Sequence, residues 1–155
     1  MQIPLILRSL DQAYDRTSWH GTNLRGSLRG VDAPTAAWRP GPKRHNIAEL
    51  AVHAAYWKYS VLRRMEDLPR GSFPLEGGNW FARGPELSAQ DWKADLKLLG
   101  EMHRKLRTAV AALDDTALAI IPAGSKTTML DLLLGVAAHD LYHAGQIQII
   151  KRLHS

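Results

Sequence analysis

The chain has 155 residues, a formal net charge of +5 and no cysteine. That length is enough for one self-supporting core, so residues 1–155 are expected to form a single domain without disulfide or metal staples. Without cysteine the chain has no thiol nucleophile, no cysteine-type zinc site and no redox switch, and any thiol chemistry must use a thiol brought by a ligand. No apolar run is long enough to span a bilayer, so no membrane role is expected and the expected location is the cytoplasm.

The positive charge raises the question of nucleic acid. Basic residues are scattered in short pairs such as Lys43-Arg44, Arg63-Arg64 and Lys151-Arg152, with acids interleaved at Glu66-Asp67, Asp91, Asp95 and Glu101. A nucleic-acid module gathers charge on one face and carries a recognisable motif. No such motif is present, and the charge reads as a solvated helical surface.

Four amphipathic segments predict an all-α protein. The first lies between roughly Ile3 and Arg29, with Tyr14, Leu24 and Leu28 on one face; Thr17, Ser18 and Gly21 weaken its middle and predict a break near Trp19-His20-Gly21. The second runs from about Asn46 to Met65 on Ile47, Leu50, Ala54, Trp57, Val61 and Met65. The third runs from about Ser88 to Leu113 on Trp92, Leu96, Leu99, His103, Leu106, Val110 and Leu113, and the fourth from about Thr128 to Leu153. Asn46, Ser88 and Thr128 each stand three residues before an acid, Glu49, Asp91 and Asp131, which is the spacing of a capping box.

The connections carry topology. Gly30 to His45, with Pro34, Pro40, Gly41 and Pro42, and the Pro122-Ala123-Gly124 turn are ordinary links. The stretch Leu68 to Leu87 holds Pro69, Gly71, Pro74, Gly77, Gly78, Gly84 and Pro85 and is long enough to run the length of a bundle. Such a crossover joins helices that point the same way, so an up-down-down-up four-helix bundle is expected, with the crossover between helices two and three.

The fourth segment contains His139-Asp140-Leu141-Tyr142-His143 in the middle of an apolar stripe formed by Met129, Leu132, Leu133, Val136, Ile147 and Ile150. Residues at i and i+4 lie one above the other on a helix, so the two imidazoles point inward together and can share an ion. Two polar rings in a core need partners or cost free energy, and a metal supplies one. A third ligand must stand at the same height. His53 lies roughly 10 Å along its helix and His143 roughly 15 Å from the end of the last, which brings them level if those helices are antiparallel neighbours. His103 lies within the third stripe at a similar height and His20 near the doubtful break, so both compete with His53 for that place. The likeness of His139-Asp140-x-x-His143 to H-E-x-x-H proteases fails on the shorter aspartate and on the lack of a second subdomain to hold a peptide.

Taken together, Trp19-His20-Gly21, the run His45-Asn46-Ile47-Ala48-Glu49-Leu50-Ala51-Val52-His53 and the run from His139 through Gly145-Gln146-Ile147 resemble the DinB-like superfamily of damage-inducible four-helix proteins. The resemblance covers nearly the whole chain. It implies a divalent metal ion, such as zinc, nickel, iron or manganese, held by His53, His139 and His143. It implies thiol-dependent transferase chemistry, or related hydrolase or isomerase chemistry of the maleylpyruvate isomerase kind, on a small molecule. A homodimer and a low-molecular-weight thiol as partner are implied as well. The alternative is a stress-related helical protein whose metal has no catalytic task. Asp140 or Gln146 is placed to orient a ligand or a histidine, and Trp57, one turn beyond His53, to wall a pocket.

Overall fold

Short polar side chains start each long helix. In the computed structural model, which describes all 155 residues, Asn46 Oδ1 accepts from the Glu49 amide at 2.8 Å while Glu49 Oε2 accepts from the Asn46 amide at 3.4 Å. Ser88 and Asp91 form the same reciprocal pair. Between them they satisfy backbone donors that a helix start leaves orphaned. At the third start only half of the box forms. Thr128 caps the Asp131 amide at 3.2 Å, but the Asp131 carboxylate takes the Thr128 hydroxyl at 2.9 Å instead of its backbone N–H.

The helices so started are α4 (Ile47–Glu66), α5 (Ala89–Ala111) and α6 (Met129–His154). They follow α1 (Ile3–Tyr14) and two single-turn helices, α2 (Leu24–Leu28) and α3 (Ala33–Ala37). The expected break in the first segment is therefore earlier and longer than Trp19 to Gly21. Asn23 caps α2 through Gly26 and also donates from Nδ2 to the Arg16 carbonyl, which closes the intervening loop. Asp32 caps α3 inside what reads in sequence as a plain linker, and a 3-10 turn at Asp115–Ala119 precedes α6.

Four helices pack into an all-α bundle: α4 lies against α5 and α6, and α1 lies against the same two from the other side. No helix is long and apolar enough to cross a membrane. The core falls into two apolar clusters. One joins Ile47 to Ala55 of α4 with Trp92, Leu99 and Met102 of α5 and Ala144, Ile147 and Ile150 of α6. The other joins Val61 and Leu62 of α4 with Leu106 and Val110 of α5, Met129 to Ala137 of α6 and the inner face of α1. Between the clusters three buried polar residues meet: Lys58 of α4, His103 of α5 and Asp140 of α6. Lys58 is fully buried, with Nζ 2.5 Å from Asp140 Oδ2 and 3.3 Å from His103 Nδ1. His103 stacks on Tyr14 at 3.8 Å between ring centroids.

Candidate metal centre

α4 and α6 bring three imidazoles together. His139 Nε2 lies 3.1 Å from His53 Nε2 and 3.0 Å from His143 Nε2. His53 and His143 are buried and His139 is half-buried. The other ring nitrogens decide the protonation of these three. His53 Nδ1 is 2.7 Å from the Asn79 carbonyl and must donate to it, which leaves Nε2 as a lone pair in the neutral ring. His143 Nδ1 donates in the same way to Gln146 Oε1 at 2.6 Å. His139 Nδ1 is buried without a partner.

At most one proton is therefore available to three converging nitrogens, and hydrogen bonds among them cannot satisfy them all. A cation can. Imidazole nitrogens bind zinc-like ions at about 2.0–2.1 Å, so two of them sharing one ion lie no more than about 4.2 Å apart. The two separations from His139, 3.0 and 3.1 Å, fall inside that limit, and all three ligand atoms lie within 4.8 Å of one another. The donor set thus fits a divalent metal bound through the Nε2 atoms, with the proton of His139 left on Nδ1.

The rings are also kept neutral. Burial pushes the His53 imidazole down to about 4, with neighbouring His143 adding to the effect. Burial, then the two other histidines, takes His139 down to about 3, and burial lowers His143 as well. Burial, aided by Lys58, likewise takes His103 to about 3. An exposed imidazole stands at 6.5, so below that pH the unfolded chain takes up protons that the folded chain refuses. Metal-free stability is therefore expected to fall as pH drops from about 6.5 to about 4. Denaturant melts of chelator-treated protein near pH 7 and about pH 5 measure this directly. Equal midpoints would mean that the rings protonate without strain in the fold.

The long connection between α4 and α5 supplies the wall. Trp80 stacks on His53 at 3.8 Å and on His45 at 3.5 Å between ring centroids. Asn79 adopts a left-handed backbone, φ 69°, which lets its carbonyl meet His53 while its side-chain oxygen accepts from Trp57 Nε1 at 2.9 Å. Asparagine tolerates that conformation better than most residues. Glu49 anchors the far end of the connection: burial opposes its charge, but Arg39, the Arg83 amide and His45 outweigh burial and hold the carboxyl at about 2. Arg83 in turn grips Asp95 through Nε and Nη2 at 2.8 and 2.9 Å.

Of the competing histidines, His103 is buried against Lys58 and Tyr14, and His20 is exposed in the loop before α2. Neither joins the cluster, which is made of His53, His139 and His143. Gln146 bonds His143 as one of two candidates for orienting a histidine, whereas Asp140 faces Lys58. Trp57 stands edge-on to His53 and His139, with ring centroids 6.3 and 6.1 Å away. Asn79, Trp80 and Lys58 carry no sequence motif; the Gly77-Gly78 turn before Asn79 is the one local sign that the chain bends there.

Residues 15–147 match the sequence profile described as the DinB superfamily. No curated protein and no solved structure gives a match. The profile spans most of the chain and includes all three clustered histidines, and the chain belongs to the DinB superfamily.

Proposed function

We propose that this protein is a divalent-metal-dependent enzyme acting on a small molecule, with a low-molecular-weight thiol as substrate or cosubstrate. The observation that carries this reading is the convergence of three Nε2 atoms, two of them in rings whose single proton is engaged elsewhere. His53, His139 and His143 would hold the ion, and zinc, nickel, iron and manganese all suit imidazole ligands. Bound there, an ion with three neutral ligands keeps its full charge and lowers the pKa of a thiol or water toward neutrality. Asn79 and Gln146 fix the rings of His53 and His143, and Trp80 shields His53 from water. Because the chain has no cysteine, the thiol comes from the ligand.

Thiol transfer is the favoured reaction class, with hydrolase or isomerase chemistry as its neighbours on the same site. A metal of purely structural use would sit in a closed shell. Here a cavity of about 340 Å³ reaches His139, which favours the catalytic reading. The up-down-down-up course fits it too. The N-terminal half of α4 shares a cluster with the N-terminal half of α5 and the C-terminal half of α6, as parallel and antiparallel neighbours respectively would. A homodimer is part of the proposal, supported by the exposed apolar line Leu134, Tyr142, Ile149 and Leu153 along α6.

Elemental analysis of purified protein is expected to find about one divalent ion per chain, and the cobalt-substituted form is expected to gain thiolate charge-transfer absorption when titrated with small thiols. One ion without any spectral response to thiols would favour the non-catalytic alternative, and no ion would end the metal reading.

A further inference from the structure

His53, Trp57 and Arg64 stand four and seven residues apart on α4, and this spacing sets them on one face of the helix. Along that face runs the cavity of about 340 Å³, walled by Trp57, Arg64, Lys126, Thr127, Gly135 and His139. A methyl group added at Gly135 would meet nothing within 4 Å, so the groove is open beside α6. Arg64 Nη1 donates to the Ser60 carbonyl at 2.9 Å and to the Ser60 hydroxyl. These bonds fold the guanidinium back by one turn, to a height on the order of 10 Å from His53 along the helix.

What Arg64 lacks is a carboxylate. Its Nε is buried without a partner, and its hydrogen bonds are all made by Nη1. Arg83 and Arg107 use the same Nε and Nη2 edge to grip Asp95 and Asp11 in two-pronged pairs. Arg64 has cations for neighbours instead. Arg63 and Arg70 line an adjoining space of about 520 Å³ that shares Trp57 and Arg64 with the first, and Lys126 lies on the other side. The acids at these walls, Asp131 and Glu76, form no ion pair with it; Asp131 is engaged with Thr128. Burial, with Arg63 and Arg70 adding to it, works against the charge of Arg64. A planar guanidinium edge in such surroundings matches a carboxylate better than any neutral group.

We propose that Arg64 binds the carboxylate of a small-molecule ligand whose other end, a thiol, reaches the histidine cluster past Trp57. This specificity rests on the metal reading above. Binding turns the guanidinium on its flexible stem so that the shielded Nε–H meets the ligand, while Arg63, Arg70 and Lys126 draw the anion in. The substrate class is thus a mercaptocarboxylate, or a thiol conjugate carrying a carboxylate at a similar reach.

Two probes of equal length, mercaptohexanoate and mercaptohexanol, test this on cobalt-loaded protein. The wild type is expected to bind the carboxylate on the order of tenfold tighter, the size of one charge-assisted contact. Arg64→Met should bind both alike while keeping its cobalt, and Arg64→Lys should keep part of the preference. Equal affinities in the wild type would overturn the proposal, as would loss of cobalt from Arg64→Met, which would make Arg64 part of the scaffold. If the wild type holds no cobalt, the metal reading fails separately. Calorimetry of the metal-free protein with hexanedioate then decides the role of Arg64. Binding heat in the wild type that is absent in Arg64→Met supports the carboxylate site, and no heat in the wild type overturns it.

Discussion

Alanine at His53, His139 or His143 is expected to strip the ion from the purified protein, whereas alanine at His103 is expected to leave it in place. Each of the three contributes one Nε2 to a cluster in which His139 lies 3.1 and 3.0 Å from its two neighbours. Removing any one leaves two ligands, too few to hold a divalent ion through purification. Gln146→Ala should act more mildly, because it frees His143 to rotate without removing a donor atom. Loss of such an orienting partner costs roughly tenfold to hundredfold in metal affinity. His103 belongs to a different group of contacts, with Lys58 and Tyr14, so its loss should lower stability by about 1–3 kcal/mol with the metal content unchanged. Elemental analysis of the five proteins in parallel settles the assignment. Ion retained by His53→Ala and lost by His103→Ala would place the metal on the other face of α4.

The parts of this arrangement that local physics governs were legible in the sequence. The apolar spacing and the three capping residues located α4, α5 and α6 to within one or two residues, because a helix start and a buried stripe are decided by neighbours in the chain. The inward aim of His139 and His143 followed from the same periodicity. What escaped was set by contacts between distant segments. α3 lies in a proline-bearing linker and is held by Asp32 and by packing against α4 and α5. Asn79 meets His53 only because the long connection folds back over α4, a tertiary event with no local period. Asp140 reads in sequence as a neighbour of the metal pair, yet its carboxylate turns the other way, toward Lys58. Lys58 itself is of a type that is solvated on most helices, and nothing in its sequence neighbours distinguishes a buried amine from an exposed one.

That lysine gives the largest expected effect on folding. Replacing Lys58 by methionine should destabilise the protein by about 3–5 kcal/mol, because it leaves the Asp140 carboxylate buried without a counter-charge. Both side chains are fully shielded from solvent, and Lys58 Nζ lies 2.5 Å from Oδ2. Oδ1 has no partner at all, so the amine is the sole compensation the carboxylate has. Burial already pushes the Asp140 carboxyl above its ordinary range, with Lys58 acting against that rise. Without the amine, Asp140 would either carry an unpaired charge into the core or take up a proton to fold. The same change removes the donor to His103 Nδ1 at 3.3 Å and the cation 5.1 Å above the Tyr14 ring. Lys58→Met together with Asp140→Leu removes both charges at similar volume and should recover most of the loss, since an apolar replacement of a buried pair is often neutral or stabilising. Because the pair joins α4 to α6, the helices that carry all three histidines, metal content of the double variant shows whether the ion pair also sets the height of His139 against His53. Guanidinium melts of the wild type, the single variant and the double variant give the energies. A single variant as stable as the wild type would mean that Asp140 is accommodated without the amine, and that the polar layer plays no part in holding the two helices in register.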